Sequence, residues 1–376
     1  MQTLSPPATA PMARFGLNWN LSQVYQRLKT RPFFIRLRHW EYWPFAVVYA
    51  PVALYYLWLS LKARSFFFFS ASNPSIETGG MLGESKRAIL DLISDEWKPK
   101  TLFVAASTDT NTIRKQLAMN NMTYPLIAKP DAGERGWRVQ RIDRWEELIQ
   151  YAHSAPIDFL LQEYVDEPLE LGVFYYRLPG PRSVGQAQGV VSSVVQKEFL
   201  TIRGNGRNCV EELIGQNERA ILQLPVLKQQ YGHLFHQVLA PGETMTLVGI
   251  GNHCKGTKFL NANHLITPEL TRIFDQISDT IDGFYFGRYD LRCRSVTDLY
   301  AGRHIRIMEL NGAGAEPAHI YQPGFSLREA YRVLFHHWGV LYDISRDNHR
   351  RGVPYMTLQE ARQVWKRNQS TKKAAA

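Results

Sequence analysis

The sequence predicts an α+β fold that is preceded by a small α/β domain and by an apolar segment near the amino terminus. Three observations lead to this prediction. Short apolar stretches that end in polar residues, such as FLLQEYV at 159–165, are typical of strands and alternate with helix-capping patterns. The stretch SFFFFSA at 65–71 indicates a buried strand before a helix that starts near Gly83, and TLFVAAS at 101–107 indicates a second strand of the small domain. From Trp43 to Leu61 no charged residue occurs.

The 376 residues are enough for two or three domains with their own cores, and we divide them into four parts. The parts are a basic amino-terminal region over 1–64 with its apolar segment at 43–61, the small α/β domain over 65–120, the main domain over 121–345, and a basic helix and tail over 346–376. Hydrophobic residues make up 45% and charged residues 21%, as in an ordinary globular protein. The three cysteines form no CxxC pair, so neither a disulfide framework nor a zinc site is predicted, and a reduced cytosolic setting fits.

The net charge of +10 is compatible with nucleic acid, an anionic membrane surface or a polyanionic substrate as a partner. The distribution of the charge separates these classes. The first forty residues hold six Lys or Arg and no acid, whereas basic residues elsewhere are mixed with acids rather than gathered in one stripe. We therefore expect a membrane surface, and no nucleic acid, among the partners.

The uncharged segment 43–61 just reaches the length that spans a bilayer, and Lys62 and Arg64 follow it directly. A simple span would export the basic amino-terminal residues, against the positive-inside rule, if the rest of the chain is cytoplasmic. Because Pro51 interrupts its middle, we expect a kinked, monotopic or re-entrant helix on the cytoplasmic side of the inner membrane. The alternative is a helix buried against the protein body. A signal peptide is disfavoured because the apolar stretch starts late.

Three oxygen-bearing side chains are expected to converge from two strands. In RIMELNG at 306–312, strand alternation sends Glu309 and Asn311 to one face, and Asp290 lies upstream in the apolar-flanked FGRYDLR stretch. Two carboxylates about 4 Å apart repel by roughly 4 kcal/mol at an effective dielectric near 20, so such a cluster normally holds a cation. Hard oxygen donors suit Mg²⁺, which prefers a few carboxylates together with substrate phosphates. The sequence therefore predicts a site for Mg²⁺ (or Mn²⁺) at these three residues.

A phosphate-binding element is predicted in YPLIAKPDAGERGWRV at 124–139. An apolar strand ends in Lys129, and a loop with Gly133 and Gly136 leads to a second strand. A lysine at a strand end can neutralise phosphate oxygens, while glycines let backbone amides approach them.

The next predicted strand, FLLQEYV, ends in Gln162 and Glu163, whose edge could read the amino group of an adenine. Glu170 follows closely enough to reach a ribose. Each of these motifs is weak alone, whereas their order along the chain is specific.

In this order the motifs resemble the ATP-grasp superfamily of carboxylate ligases, which includes D-alanine–D-alanine ligase, glutathione synthetase and cyanophycin synthetase. The resemblance covers about residues 124–321 and implies an ATP-grasp fold, in which two α+β lobes grip ATP. The ATP-binding residues that it implies are Lys129, Gly133, Gly136, the hinge residues Gln162, Glu163, Tyr164 and Val165, the ribose-binding Glu170, and Lys197. It implies catalytic roles for Lys129 and Arg288, and metal binding by Asp290, Glu309 and Asn311.

Two details of the resemblance concern the middle of the chain. The second phosphate-contacting cation is either Lys197 or Lys255, with Lys197 favoured. The stretch IRGNGRNCVEELI at 202–214 is similar to the GDGxxTIxELI stretch of peptide ligases, with Asn205 in place of Asp and Cys209 in place of Thr.

The activity that the resemblance implies is an ADP-forming ligation that makes a C–N bond. A small-molecule carboxylate is activated as an acyl phosphate on Mg·ATP and is then joined to an amine. Two other functions stay open on the sequence. One is an ATP-grasp-type kinase that phosphorylates a hydroxyl group, and the other is a non-catalytic, membrane-tethered nucleotide-binding protein.

Overall fold

The computed structural model describes residues 31–133, 136–180, 188–249, 251 and 253–375. These residues form an α+β structure, as the sequence predicts. The α-helices in chain order are α1 (Pro32–Arg38), α2 (Phe45–Ala63), α3 (Lys86–Asp91), α4 (Thr110–Met119), α5 (Trp145–Ser154), α6 (Val210–Gly215), α7 (Glu218–Leu222), α8 (Leu224–Tyr231), α9 (Pro268–Asp279), α10 (Val296–Tyr300), α11 (Leu327–Arg350) and α12 (Leu358–Ala375). The strands are β1 (Thr101–Val104), β2 (Leu126–Pro130), β3 (Gln140–Ile142), β4 (Phe159–Glu163), β5 (Leu169–Arg177), β6 (Gly189–Glu198), β7 (Leu200–Arg203), β8 (Thr244–Val248), β9 (Lys258–Asn261), β10 (Phe286–Cys293) and β11 (Ile305–Asn311).

The first sheet has four antiparallel strands in the order β1-β4-β2-β3. Strand β4 is central, and its run of Phe159, Leu160 and Leu161 is fully buried, as expected for a strand covered on both faces. Helices α4 and α5 bury their apolar stripes, including Ile113 and Leu148, in the same core. This sheet supplies the predicted phosphate-binding strand β2.

A separate small α/β domain over 65–120 is not seen in the part of the chain that the structure describes. Strand β1 pairs with β4, and α4 shares the core of β2 and β4, so both belong to the first sheet's own lobe. The boundary predicted at 345 falls inside α11, which continues to Arg350. The sequence pattern predicted strand β1 but not its partner, because strand pairing depends on contacts between distant segments.

The second sheet has five antiparallel strands in the order β11-β10-β5-β6-β9. Its core is filled by the apolar stripe of α9, which includes Leu270, Phe274 and Ile277. The side chain of Thr267 caps α9 by accepting a hydrogen bond from the amide of Leu270 at 3.2 Å. The two strands that carry the predicted metal ligands, β10 and β11, are neighbours at one side of this sheet.

A third, two-stranded sheet of β7 and β8 has its own small core with α6, α7 and α8. Asn205, in the turn between β7 and α6, accepts hydrogen bonds from the amides of Arg207 at 3.0 Å and Asn208 at 2.8 Å. The amide side chain thus organises the turn with the same oxygen acceptor that an aspartate offers.

Helix α2 packs with one side against α11 and its neighbours. Val52 joins a cluster with Ile320 and Leu334, and Leu59 joins another with Phe68. The helix runs through Pro51 without a break, so the chain does not turn back at its middle as the re-entrant interpretation requires. By length and composition α2 is the one helix in the described part of the chain that could cross a membrane, which is weak evidence.

The stretch after α2 is a correction to the prediction. Residues 65–71 form a turn and a short 3₁₀ helix (Phe68–Ala71) instead of a strand, because Phe68 and Phe69 pack against α11 rather than pairing in a sheet. The following helix, α3, begins at Lys86 rather than near Gly83, with the hydroxyl of Ser85 as its cap.

Buried Asn73 ties this stretch to β10. Its side chain accepts from the amides of Tyr285 and Phe286 and donates to the carbonyls of Phe286 and Gly79, all at 2.8–3.0 Å. The loop around Gly79 in turn bonds to the chain just after β11. The amino-terminal region is thereby fixed against the strands that carry the predicted metal ligands.

Candidate active site

A cavity of about 1400 Å³ lies between the first and second sheets. Every residue that the sequence analysis assigned to ATP, metal or catalysis lines it. They are Lys129, Gly133, Gly136, Gln162, Glu163, Tyr164, Val165, Glu170, Lys197, Arg288, Asp290, Glu309 and Asn311. The two remaining residues of the predicted flexible loop, Glu134 and Arg135, lie outside the described residues. The structure therefore brings the predicted residues together, while their roles remain predictions.

The oxygen donors converge because β10 and β11 are antiparallel. Asp290 is the register partner of Glu309, and Arg288 is the partner of Asn311, so all four side chains share one face of the sheet. The side-chain amide of Asn311 donates to Asp290 at 3.2 Å. The sequence prediction of a shared face for Asp290, Glu309 and Asn311 is thus confirmed.

Arg288 holds Asp290 with two hydrogen bonds. Its Nε lies 3.1 Å from Oδ1 and its Nη2 lies 3.0 Å from Oδ2. Burial alone would raise the pKa of Asp290, but attraction to Arg288 and Lys197 outweighs it and holds the pKa below its ordinary value. Asp290 therefore stays ionised within the protein and carries a charge that a cation can use.

Lys197, rather than Lys255, joins this cluster. The Nζ of Lys197 lies 3.4 Å from Asp290 and 3.3 Å from Glu170. Burial lowers the pKa of Lys197, but attraction to these two carboxylates outweighs that effect, so the pKa is raised and the side chain stays charged. Lys255 instead donates to the carbonyl of Gly136 at 2.8 Å, beside the predicted flexible loop.

Glu170 is engaged by a residue that the sequence analysis missed. The guanidinium of Arg292 donates to its Oε2 at 2.9 and 3.0 Å and to the carbonyl of Val165 at 2.7 Å. A signal for Arg292 was present, since strand alternation places it on the same face as Arg288 and Asp290. Glu170 therefore reaches the cavity with its carboxylate already held by Arg292 and Lys197.

Lys129 is buried at the end of β2 and donates to Gln162 Oε1 and to the carbonyl of Met308, each at 3.0 Å. The second contact places it next to β11, which carries two of the predicted metal ligands. Burial is the main cause that lowers the pKa of Lys129 to about 8, although Glu309 opposes it. An anion beside this lysine would favour its charged form.

The side chain of Gln162 is hydrogen-bonded to other protein side chains, rather than directed freely towards an adenine as the sequence analysis expected. Its amide nitrogen donates to Thr101 Oγ1 at 3.0 Å, while its oxygen accepts from Lys129. The side chain therefore positions Lys129.

The donor set fits a small, hard cation such as Mg²⁺. In the described part of the chain, no three His, Cys, Asp or Glu residues lie close enough to hold a metal ion by themselves. Two carboxylates and an amide oxygen leave the remaining positions to phosphate oxygens and water, which is how magnesium is commonly bound beside nucleotides.

The far end of the cavity was not predicted. It is lined by aromatic residues from the amino-terminal region, including Trp40, Tyr42 and Tyr49, and by Tyr321. The hydroxyls of Tyr49 and Tyr321 both donate to the carboxylate of Glu316, the latter at 2.5 Å. Sequence patterns gave no signal for this group, because its members are far apart in the chain.

No protein-family model matches this sequence, and no curated protein sequence matches it significantly. Solved structures do match. One is D-alanine–D-alanine ligase from Bacillus anthracis complexed with ATP, with 11% identity, coverage of 71% of this chain and 68% of that chain, and a TM-score of 0.40. Another is a bifunctional glutathione synthetase from Pasteurella multocida, with 13% identity, coverage of 66% and 35%, and a TM-score of 0.35.

A third is an ATP-grasp ligase complexed with a minimal precursor, with 12% identity, coverage of 68% of this chain and 60% of that chain, and a TM-score of 0.33. These matches include enzyme classes that the sequence resembles. At these identities and TM-scores they say nothing about what this chain binds or catalyses, so the function is argued from its own residues.

Proposed function

We propose that this protein is an ATP-grasp-type ligase that activates a substrate carboxylate with Mg·ATP and joins it to an amine. The observation that carries the proposal is the cross-strand pairing of Asp290 with Glu309 and of Arg288 with Asn311 beside Lys197. One cavity thus holds cations, which can bind phosphate and carboxylate oxygens, and oxygen donors, which can bind a metal ion.

Each residue has a role in this proposal. Lys129 and Lys197 contact phosphate oxygens, the backbone of hinge residues 162–165 and Glu170 hold the nucleoside, and Gly133 and Gly136 let the loop approach the phosphates. Asp290, Glu309 and Asn311 would hold magnesium, which supplies charge neutralisation at the phosphates when it is bound.

The reaction has two steps. A carboxylate oxygen of the substrate attacks the γ-phosphorus of ATP, the bond to the β,γ-bridging oxygen breaks, and ADP leaves. An amine nitrogen then attacks the acyl carbon, the acyl C–O bond breaks, inorganic phosphate leaves, and the nitrogen loses a proton. Arg288, fixed by Asp290, stabilises the oxygen charge that develops at the acyl phosphate.

The test of this proposal combines calorimetry and trapping. We expect ATP to bind in the presence of Mg²⁺ and much more weakly with a chelator. In a screen of amino acids, peptides and envelope precursors for ADP release, hydroxylamine should convert the activated acid to a hydroxamate. A stable phosphorylated hydroxyl product would instead indicate a kinase, and Mg-dependent binding without any turnover would indicate a non-catalytic protein. Absence of Mg-dependent ATP binding would overturn the proposal.

The proposal includes a location at the cytoplasmic surface of a membrane. The side of α2 that faces away from α11 exposes large apolar side chains at helical spacing. They are Val47, Leu54, Leu57, Trp58 and Leu61. Between residues 31 and 76 the chain carries five Lys or Arg and one acid, Glu41, whose side chain is buried against Arg219.

An apolar face next to a stretch with net positive charge matches a bilayer with anionic headgroups. Because the opposite side of α2 packs on the protein body, we favour attachment along the surface over a span across the bilayer.

The location is tested by sedimentation of the full-length protein with vesicles. Binding to vesicles that contain anionic lipid, with weaker binding to neutral vesicles, is expected. Deletion of residues 1–64 is an unsuitable test, because it would uncover buried Ile320, Leu334 and Tyr342. Failure of the intact protein to sediment with anionic vesicles would contradict the location and leave the ligase proposal standing.

A further inference from the structure

The aromatic end of the cavity holds a carboxylate that forms no salt bridge with the described residues. Glu316 accepts hydrogen bonds from Tyr49 and Tyr321, whose hydroxyl oxygens lie 3.0 Å apart. In the described ranges, no Lys, Arg or His nitrogen lies within 4 Å of this carboxylate, whereas Glu170 and Asp290 have such partners. Arg288 attracts Glu316 from a longer distance, so the direct partners of the carboxylate are two neutral hydroxyl groups.

The surroundings of Glu316 favour a cation as its ligand. Tyr321 packs near Trp40, with ring centroids 5.8 Å apart, and near His253 at 5.4 Å, and all three rings line the cavity. Aromatic faces attract cations. The nearby guanidinium of Arg219 is already neutralised by Glu41. Burial lowers the pKa of His253 to about 3, so this ring adds no positive charge.

Glu316 also lies next to the centre of the proposed reaction. Arg288, which the proposal places at the acyl phosphate, donates from Nη1 to the backbone carbonyl of Glu316 at 3.1 Å. An amine that attacks the acyl carbon must lie within about 3–3.5 Å of it. A carboxylate on the residue that contacts Arg288 is therefore placed where the amine has to be captured.

We propose that Glu316, held by Tyr49 and Tyr321, binds the ammonium group of the acceptor substrate, and that this acceptor is a primary amine on an apolar group. This inference rests on the proposed function. The apolar part follows from the lining beyond Glu316, where Val48, Phe45 and Trp43 of the amino-terminal region continue the wall. Phe45 and Trp43 are also exposed at the surface, so the wall leads from the ammonium site to the proposed membrane face.

The probe is n-butylammonium, compared with its neutral counterpart 1-butanol, on full-length protein saturated with MgADP. Saturation-transfer NMR measures both affinities. We expect wild-type protein to prefer the ammonium by at least about tenfold, as a charged hydrogen bond provides. Because both probes carry the same butyl chain, binding at the exposed apolar face cancels in the ratio.

Three variants test the assignment. Glu316→Gln should reduce the preference about tenfold or more, Glu316→Asp should retain part of it, and the control Glu329→Gln, on the exposed first turn of α11, should leave it unchanged. Thermal melting checks that each variant is folded.

An unchanged preference in Glu316→Gln, or no preference in the wild type, would overturn the inference. Equal loss in Glu316→Gln and Glu316→Asp together with lower melting temperatures would assign Glu316 a structural role and would also overturn it. MgADP binding is measured by calorimetry in the same samples. If MgADP itself does not bind, it is the proposed function that fails rather than this assignment.

Discussion

The two ends of the cavity are built in different ways. At the strand-built end, where β5, β6 and β10 line the cavity, Glu170 and Asp290 face the cations Lys197, Arg288 and Arg292 at 2.9–3.4 Å. At the aromatic end, Glu316 faces hydroxyl groups, and the wall is assembled from segments that are far apart in sequence. A cluster of paired charges suits a ligand that brings both charge and metal, whereas a carboxylate held by hydroxyl groups among aromatic rings suits a cation.

The largest expected effect is at the strand-built end. Glu309→Gln should reduce turnover by roughly 10²-fold or more, while the affinity for Mg·ATP falls by less, because the lost charge acts on the reacting phosphate. ADP release and calorimetric binding are measured on the same preparation. Glu329→Gln serves as the matched control, and full ligase activity in Glu309→Gln would refute the metal assignment.

Arg288→Ala should slow the chemical step by roughly 10²-fold, since a preorganised donor at the developing oxygen charge is lost. Single-turnover measurements separate this step from nucleotide binding, which should change less. Arg288→Lys keeps the charge without the two-point contact to Asp290, so partial activity is expected. If Arg288→Ala reacted as fast as the wild type, the charged residues of the strand-built end would serve binding alone.

The apolar face of α2 that is proposed to contact a membrane gives the third effect. Replacing Leu54, Leu57 and Leu61 by Ser should weaken binding to anionic vesicles by about tenfold or more, because exposed apolar area then no longer leaves water. The matched control replaces Leu178, Leu224 and Leu358, which are exposed elsewhere, by Ser. Mg·ATP binding should be the same in both triple variants. Equal vesicle binding by the two would place the contact away from α2.

The smallest expected effect concerns protons. With the pKa of Lys129 at about 8, its side chain is mostly neutral in the free protein at about pH 9 and mostly charged at about pH 7. The triphosphate favours the charged form, so binding should take up close to one proton at about pH 9 and almost none at about pH 7. Affinity should fall as the pH rises above about 8.

Calorimetry in two buffers with different ionisation enthalpies measures this uptake. Lys129→Met is the informative variant, since it should remove the uptake at about pH 9. If Lys129→Met took up the same number of protons as the wild type, another group of the strand-built end would be the one that titrates.

Local patterns predicted much of the strand-built end. Alternation placed Glu309 with Asn311, and Arg288 with Asp290, on shared faces, and the strands β2, β4, β10 and β11 were all expected. The choice between Lys197 and Lys255 needed the structure, because Lys197 lies on β6 beside Asp290, whereas Lys255 lies in the turn before β9 and contacts Gly136. The run of phenylalanines at 66–69 was predicted to be a strand but is not one, because packing against α11 overrides its β propensity.

The sequence by itself determined which side chains share a face, since that follows from the two-residue period of a strand. It also determined that residues 43–61 are apolar and flanked by positive charge. Tertiary structure alone decided that β1 joins the first sheet, that α2 covers α11 with one side, and that Tyr49 meets Glu316. The contact of Tyr49 with Glu316 joins residues 267 positions apart, and such pairings depend on how whole elements pack, which no local period encodes.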